Sequence, residues 1–273
     1  MICEAFPKYA LQPKVDDIFT GSPPLGFTFG LGGLVLFPFY YGASTFLIEK
    51  PSPEILLQAI QDFKITICFT APTAWRMITQ KVNDFDISSL RKCVSAGENL
   101  PLKVWEDWYK ATGLKIIDGI GATELLHIFI SSNEDNMKPG ATGLPIYGYE
   151  AKIVDDNGDE VGNNEIGKLA VRGIKSWKYL NRLEKQAEYV QNKWNLTGDI
   201  FKKDDDGYFW FIARGDDMII SSGYNIAAIE VESVLLTHDE ILECAVVGIP
   251  DENRGMLVCA NIVLKNPASA NED

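Results

Sequence analysis

The sequence of 273 residues has few histidines, no clustered cysteines and no basic run. Its five cysteines are scattered, odd in number and never take a Cys-x-x-Cys spacing: Cys3, Cys68, Cys93, Cys244 and Cys259. This pattern argues against a disulfide framework or a zinc site and is typical of free thiols in a reducing compartment. The formal net charge of −13 argues against nucleic acid or an anionic membrane surface as the main partner.

Targeting and membrane signals are also scarce. The first residues, MICEAFPKYALQPK, have neither a basic start nor an apolar core, so no signal peptide is visible and the cytoplasm is the expected compartment. The charge-free stretch between Asp17 and Glu49 has the composition of a membrane span, but three prolines and six glycines would repeatedly break a helix there. We expect no membrane span, and instead a loop, a buried helix from about Gly30 to Tyr40 and a strand over STFLIE.

From Pro53 the chain alternates between helical and strand patterns. PEILLQAIQDF, TAWRMITQ and LKVWEDWYKATG have helical spacing, and ITICFTAP, LRKCVSAGENLP and LKIIDGIGATE read as strands. Alternation of this kind predicts a parallel sheet with helices packed on it. Ligands collect at the carboxyl ends of such strands, where the AGE and DGIGATE loops fall.

After Met137 the pattern becomes β-rich, with a hairpin turn expected at Asn157-Gly158. The last stretch predicts a helix followed by two strands around a polar loop. The sequence therefore predicts an α/β fold in three parts. A parallel-sheet α/β part over 1–137 is followed by a small β-rich subdomain over 138–213. A hinge over 214–217 leads to the start of an α+β domain over 218–273.

The most informative stretch of the sequence is NLTGDIFKKDDDGYFWFIARGDDMIISSGYNIAAIEVE. GYFWFIAR alternates like a half-buried strand and brings Arg214 to its end, and Thr197-Gly198-Asp199 is expected in a tight turn upstream. The Asp199 carboxylate and the Arg214 guanidinium could then face one cleft, where a ribose diol is a natural partner. A surface turn with an ordinary ion pair explains the same residues.

Several separated motifs, in order, resemble the carboxylate-activating adenylate-forming superfamily, which includes acyl-CoA and aryl-CoA ligases, luciferases and peptide-synthetase adenylation domains. They are TGD, the aromatic strand, ARGDDMIISSGYNI and EVE. DGIGATELLHIFIS, KPGATGLP, YGYEAKIVDD and PDENRG are similar to the benzoate and 2-aminobenzoate:CoA ligases. This likeness extends from Val15 to Leu264.

The resemblance implies a nucleotide site. Asp118, Gly119 and Ile120 would lie along the adenine, with Gly119 and Gly121 allowing close backbone approach. Thr123 would contact the α-phosphate and Glu124 would hold Mg²⁺, and these two are the expected catalytic residues. Ala96, Gly97 and Glu98 resemble a second adenine-side loop, and Asp199 and Arg214 the ribose site. Many family members have tyrosine where this chain has Ile120, a feature that the benzoate branch shares. A turn before a buried strand is the alternative interpretation of DGIGATE.

The same resemblance implies an acyl pocket formed by Phe27, Thr28, Phe29, His127 and Ile128. His127 and Ile128 would determine pocket shape and polarity without carrying protons, although a satisfied core histidine is equally compatible with the sequence. Asp216 matches the family hinge, and Ser222, Gly223 and Tyr224 would face coenzyme A after domain rotation. A solvated acidic turn is the alternative at Asp216.

The implied reaction has two steps and uses ATP, Mg²⁺ and coenzyme A. A small aryl carboxylate forms acyl-AMP, and the thiol of coenzyme A then displaces AMP, as in the breakdown of aromatic compounds. A lysine-containing phosphate loop is absent from FTGSPPLGFTFGLGG, and the family's catalytic lysine lies beyond what matches Lys265. We therefore expect an internal fragment that is inactive by itself. Two alternatives are a medium-chain or other acyl-CoA ligase and a non-catalytic nucleotide- or acyl-binding protein.

Overall fold

The structure, a computed structural model, describes residues 2–174, 178–215, 217–222, 224–251 and 254–266. The strands are β1 Ile18–Gly21, β2 Ser44–Thr45, β3 Ile67–Thr70, β4 Lys92–Ser95, β5 Ile116–Gly121, β6 Ile128–Ser131, β7 Leu144–Pro145, β8 Glu150–Val154, β9 Ile166–Arg172, β10 Val190–Gln191, β11 Trp194–Lys203, β12 Phe209–Arg214, β13 Met218–Ser221, β14 Tyr224–Ala227, β15 Ile241–Asp251 and β16 Gly255–Leu264. The α-helices are α1 Thr28–Leu31, α2 Phe37–Tyr40, α3 Pro53–Phe63, α4 Pro72–Lys81, α5 Leu102–Thr112, α6 Leu183–Tyr189 and α7 Ala228–Leu235.

The first sheet has the strand order β2-β1-β3-β4-β5-β6-β7. Strands β1 to β5 pair in parallel, and β6 and β7 are antiparallel additions at one edge. Every residue of β3, β4 and β6 is buried, as expected for a sheet covered on both faces. The predicted α/β fold is confirmed. The edge strand β7 belongs to this sheet, although it lies in the segment that the sequence assigns to the β-rich part.

Helix ends follow local signals in the sequence. Ser52 accepts a hydrogen bond from the Ile55 backbone N–H and Pro53 opens α3, and Gly113 ends α5 in a left-handed conformation with φ +74°. The helix predicted from about Gly30 to Tyr40 is present as α1, a π-helical turn over Gly32–Leu36 and α2. It is only partly buried, because Phe39 and Tyr40 are 65% and 55% exposed. The prediction of a strand over STFLIE is wrong beyond Thr45, where the strand ends. The Phe46 carbonyl accepts a hydrogen bond of 2.7 Å from the Thr20 hydroxyl in place of a backbone bond of the ladder.

The second sheet is antiparallel and has the order β10-β11-β9-β8, with β12 paired to β11. The prediction of a tight turn at Thr197-Gly198-Asp199 is wrong, because these residues lie inside β11. Gly198 has a φ of +81°, and the pairing of β11 with β9 shifts register between Leu196 and Ile200. The segment is therefore a β-bulge, which lets the strand continue while it turns Asp199 toward β12.

The third sheet, β14-β13-β16-β15, is antiparallel, and α7 packs against β15. Arg76 on α4 donates a hydrogen bond of 2.5 Å to Glu243 on β15, which joins this sheet to the helical face of the first. The β-rich part and the beginning of an α+β part therefore follow the α/β part, as predicted. Among the described helices, none is both long enough and apolar enough to cross a membrane.

Candidate functional site

Asp199 and Arg214 form an ion pair between neighbouring strands. They are Cα partners in the β11–β12 ladder, and Arg214 Nη1 donates to Asp199 Oδ1 at 2.8 Å. The Asp199 side chain is 8% exposed and that of Arg214 is 50% exposed. Strand register alone brings together two residues that are fifteen positions apart in the sequence. The guanidinium thus orients a nearly buried carboxylate at the edge of a cleft.

This cleft has a volume of about 650 Å³ and is here called the nucleotide cleft, because the sequence predicts a nucleotide site at Glu124, Asp199 and Arg214. It lies where the end of β5, strand β11 and helix α6 meet, and its lining includes Gly121, Glu124, Tyr179, Lys185, Tyr189, Asp199 and Arg214. The predicted residues Gly121, Glu124, Asp199 and Arg214 therefore come together from three separate segments. Sequence reasoning missed Tyr179, Tyr189 and Lys185, which reach the cleft from α6 and the segment before it.

Glu124, the predicted Mg²⁺ ligand, lies in the lining of the nucleotide cleft. It lies half-buried on a short 3₁₀ turn, Thr123–Leu125, with Thr123 exposed beside it. Within the described part of the chain, no group of three or more metal-ligating side chains could hold an ion by itself. Mg²⁺ usually takes one or two protein carboxylates and completes its shell with water and phosphate oxygens, so a single glutamate fits this ion.

The two glycines of the DGIGATE loop, Gly119 and Gly121, allow β5 to pack closely against β6. A Cβ at Gly119 would lie 2.7 Å from Ile128 Cγ2, and one at Gly121 would lie 2.8 Å from the His127 carbonyl oxygen. Close pairing of β5 with β6 therefore excludes side chains at both positions, whether or not a ligand approaches. Ile120 is half-buried and packs against the main apolar core.

Asp118 faces away from the nucleotide cleft. It lines a small cavity of about 20 Å³ with Ser132 and Thr142. Its Oδ1 atom is fully buried and has no hydrogen-bond partner in the residues that the structure describes. Burial raises the pKa of the Asp118 carboxyl from 3.8 to about 7. The Asp118 side chain therefore does not reach the nucleotide cleft, and a contact with adenine would have to come from the Asp118 backbone.

Asp118→Asn should raise the free energy of unfolding above pH 7 and leave it nearly unchanged at pH 4. The raised pKa means that the folded state holds the proton of Asp118 more tightly than the unfolded state does. The stability that this carboxyl contributes is therefore fully present below about pH 4 and is lost as the pH rises through 7. At about 1.4 kcal/mol per pKa unit, the difference should reach a few kcal/mol. Urea unfolding of both proteins from pH 4.5 to 8 measures it, and parallel stability curves would contradict the burial of a carboxylic acid here.

The Ala96-Gly97-Glu98 loop lies beside a neighbouring cleft. Glu98 accepts a hydrogen bond of 2.7 Å from the Thr73 hydroxyl and lines a space of about 310 Å³ between α4, α5 and α7. Gly97 has a φ of +94° with open space beyond its Cα. The structure thus brings this loop near the first sheet's helices and not into the lining of the nucleotide cleft.

His127 lies in a closed aromatic cluster. Its ring centroid is 4.6 Å from Phe37, 5.7 Å from Phe6 and 5.9 Å from Phe29. The ring is buried, and neither nitrogen has a hydrogen-bond partner of normal geometry among the described residues. Burial lowers the pKa of His127 to about 3, with a smaller opposing effect from the Phe29 backbone. The imidazole is therefore neutral near pH 7.

The other predicted pocket residues differ in burial. Thr28 and Phe29 are half-buried, Ile128 is buried, and Phe27 is 65% exposed at the start of α1. The structure therefore brings Phe29 to His127, whereas the Ile128 side chain lies against Gly119 and Phe27 is exposed. Phe6 and Phe37, which complete the cluster, were missed because they are remote in the sequence.

The predicted hinge and coenzyme A residues are only partly described. Asp216 and Gly223 lie outside the described residues. Ser222 is exposed with a φ of +51°, and Tyr224 is 74% exposed on β14. The exposed side chains leave Ser222 and Tyr224 accessible to a ligand.

Comparison with known proteins decides the family. The sequence model of the family described as AMP-binding enzyme matches residues 2–178, more than half of the chain. The chain belongs to the AMP-binding enzyme family. A second model, described as the AMP-binding enzyme C-terminal domain, matches residues 230–273. These matches confirm the resemblance that the motifs indicated.

Relatives of this AMP-binding enzyme include coenzyme A ligases. Mouse mitochondrial acyl-coenzyme A synthetase ACSM3 is 38% identical over 97% of the chain and 47% of its own length. The crystal structure of the anthranilate CoA ligase AuaEII in complex with anthranoyl-AMP matches with 40% identity and a TM-score of 0.89, over 95% of this chain and 51% of that one. A benzoate CoA ligase structure from Burkholderia xenovorans LB400 matches with 31% identity and a TM-score of 0.90, over 99% and 55%. The chain spans about half the length of these relatives.

Proposed function

We propose that this AMP-binding enzyme takes part in the ATP-dependent activation of an aromatic carboxylic acid, of the 2-aminobenzoate or benzoate type, to its coenzyme A thioester. The nucleotide cleft carries the proposal, because it gathers Glu124, Asp199 and Arg214 from three segments. In the first step the acid's carboxylate attacks the α-phosphorus of ATP and pyrophosphate leaves. In the second step the thiol of coenzyme A attacks the acyl carbon and AMP leaves.

Asp199 is proposed to bind the ribose. A carboxylate has about four acceptor sites, and Asp199 lines the nucleotide cleft, so the two hydroxyls of a ribose diol are suitable donors to it. Arg214 keeps the carboxylate oriented. Thr123 is proposed to donate to the α-phosphate. Mg²⁺, when bound at Glu124, supplies neutralisation of phosphate charge.

The aromatic cluster around His127 is proposed to border the acyl site. A Cβ at Gly32 would lie 2.4 Å from His127 Cδ2, so the helix over Gly32–Leu36 contacts the ring directly. Phe29 joins this wall from α1. Phe29 is half-buried, whereas His127 is buried behind it, so Phe29 is the ring of this cluster that can pack against a substituted benzene ring.

An aliphatic acid is the second candidate, favoured by the 38% identity to an acyl-coenzyme A synthetase. Discrimination between acids rests on a few contacts worth about 1–3 kcal/mol each, so it needs direct measurement. The relative named as an anthranilate CoA ligase, at 40% identity, supports the aromatic acid.

Titration of the folded chain with non-hydrolysable acyl-AMP analogues tests the proposal. The 2-aminobenzoyl and benzoyl analogues should bind at least about tenfold more tightly than AMP or an octanoyl analogue, because aryl contacts add to the nucleotide contacts. Phe29→Ala should remove much of this aryl advantage and leave AMP affinity unchanged. Tighter binding of the octanoyl analogue would favour the aliphatic acid. If AMP binds and no acyl group adds affinity, a non-catalytic nucleotide-binding role is the better account.

A further inference from the structure

The Glu124 carboxylate already has a partner in the nucleotide cleft. The Tyr179 hydroxyl donates a short hydrogen bond to Glu124 Oε1. Tyr179 therefore occupies an oxygen atom that a cation bound to Glu124 would need.

Helix α6 holds Tyr179 in this position. The Tyr179 backbone N–H donates to Gln186 Oε1 at 2.9 Å, and Lys185 Nζ lies 4.8 Å from the centre of the Tyr179 ring. The Tyr189 ring packs against it nearly at right angles, with 5.9 Å between centroids. Three contacts from one helix fix the phenol before any ligand arrives, so the bond to Glu124 is part of the fold's own organisation.

We propose that Tyr179 is an internal competitor of a divalent cation for the Glu124 carboxylate. The phenol occupies the carboxylate for most of the time. The apparent affinity for a cation is therefore the intrinsic affinity multiplied by the fraction of time for which the carboxylate is released. Tyr179 must give up this bond before Glu124 can bind the ion. The inference rests on the proposed function only for the assignment of a divalent cation to Glu124.

The competition would make cation binding depend on the nucleotide. Mg²⁺ binds weakly to a single carboxylate and gains most of its remaining ligands from phosphates and water. With Tyr179 on Glu124, the ion alone meets a blocked ligand, whereas an ion that arrives with phosphate oxygens has enough binding energy to displace the phenol. Tyr179 is thus a positioning residue, and it sets the affinity of the site.

Binding of Mn²⁺ alone, followed by electron paramagnetic resonance of the free ion, tests the competition. In a chain with a net charge of −13, other carboxylates can also bind Mn²⁺. Subtracting the titration of Glu124→Gln therefore isolates the part of the Mn²⁺ binding that depends on Glu124. Tyr179→Phe should tighten that component about three- to tenfold, because the phenol's charge-assisted hydrogen bond no longer competes.

Tyr40→Phe is the matched control. The Tyr40 hydroxyl donates to Glu4 Oε1 at 2.9 Å, so the control also frees a glutamate from a tyrosine, at a position far along the chain from the nucleotide cleft. The Glu124-dependent component should be the same in Tyr40→Phe and in the parent chain.

A second measurement locates the displacement. In the spectrum of a chain labelled with [¹³Cζ]tyrosine, the resonance that is missing from Tyr179→Phe identifies Tyr179. It should move when Mg²⁺ is added to the parent chain and should stay in place when Mg²⁺ is added to Glu124→Gln.

Three results would overturn the proposal: no Glu124-dependent Mn²⁺ component in any of the proteins, unchanged or weaker binding in Tyr179→Phe, or an equal gain in Tyr40→Phe. These outcomes are separate from failure of the proposed function, which is judged by AMP and acyl-AMP binding at Asp199. A chain that binds no AMP and still shows the gain in Tyr179→Phe would keep the competition and reject the ligase role.

Discussion

Asp199→Ala should weaken AMP binding by at least about 30-fold. Loss of one partner of a hydrogen-bonded charge pair at a binding site costs about 2–5 kcal/mol, and 2 kcal/mol corresponds to about 30-fold in affinity. The substitution removes the proposed ribose acceptor and also releases Arg214 from the contact that orients it. Calorimetric titration of parent and variant with AMP, after circular dichroism has shown both to be folded, measures the loss.

Glu150→Ala provides the control for this loss. Glu150 and Arg172 are also a carboxylate–guanidinium pair across neighbouring strands of the second sheet, 2.6 Å apart, but they are exposed and do not line the nucleotide cleft. AMP affinity should be unchanged in this variant. Equal losses in the two variants would show that the second sheet as a whole is perturbed and that Asp199 has no specific role.

Asp17→Ala should lower the free energy of unfolding by about 3–5 kcal/mol, the usual cost of removing one partner of a buried ion pair. The Asp17 side chain is 2% exposed and accepts hydrogen bonds from the Lys14 backbone, the Thr66 hydroxyl and Arg91. It therefore connects the residues just before β1, β3 and β4. Burial opposes ionisation, and the bonds from Arg91, Lys14 and Thr66 outweigh it, so the pKa of Asp17 is lowered.

Chemical unfolding at pH 7 measures the effect of Asp17→Ala. The lowered pKa adds a second observable, because stability from this carboxylate is present above its unfolded-state pKa and is lost as the pH falls through the folded-state value. The variant should lack that part of the acid dependence. Asp86→Ala, which breaks an exposed pair with Lys64, should unfold like the parent. A loss in Asp86→Ala as large as that in Asp17→Ala would contradict the importance of burial.

The parallel part of the fold could be predicted from the sequence because its signals are local. Ser52-Pro53 begins α3, Gly113 ends α5, and apolar runs separate the helices as buried strands. The sequence also predicted that Asp199 and Arg214 would face one cleft. The alternation of GYFWFIAR placed Arg214 at the end of a strand, but the register between β11 and β12, and not the predicted turn, pairs the two side chains.

The features that could not be predicted depend on distant partners. A glycine with positive φ suits a tight turn or a bulge, and only the register between β11 and β9 decides that Gly198 forms a bulge. Tyr179 reaches Glu124 across 55 positions of the sequence, and no periodicity in the sequence indicates that contact. Phe6 and Phe37 reach His127 across ninety or more positions of the sequence for the same reason.

A crystal structure of the chain with AMP bound tests most directly whether Asp199 and Glu124 form a nucleotide site. We expect AMP in the nucleotide cleft, with its ribose hydroxyls within hydrogen-bonding distance of the Asp199 carboxylate and its phosphate on the Glu124 side. AMP bound elsewhere, for example in the cleft of about 570 Å³ between Arg76, Lys103 and His238, would contradict this expectation. Asp199 and Arg214 would then be a structural ion pair.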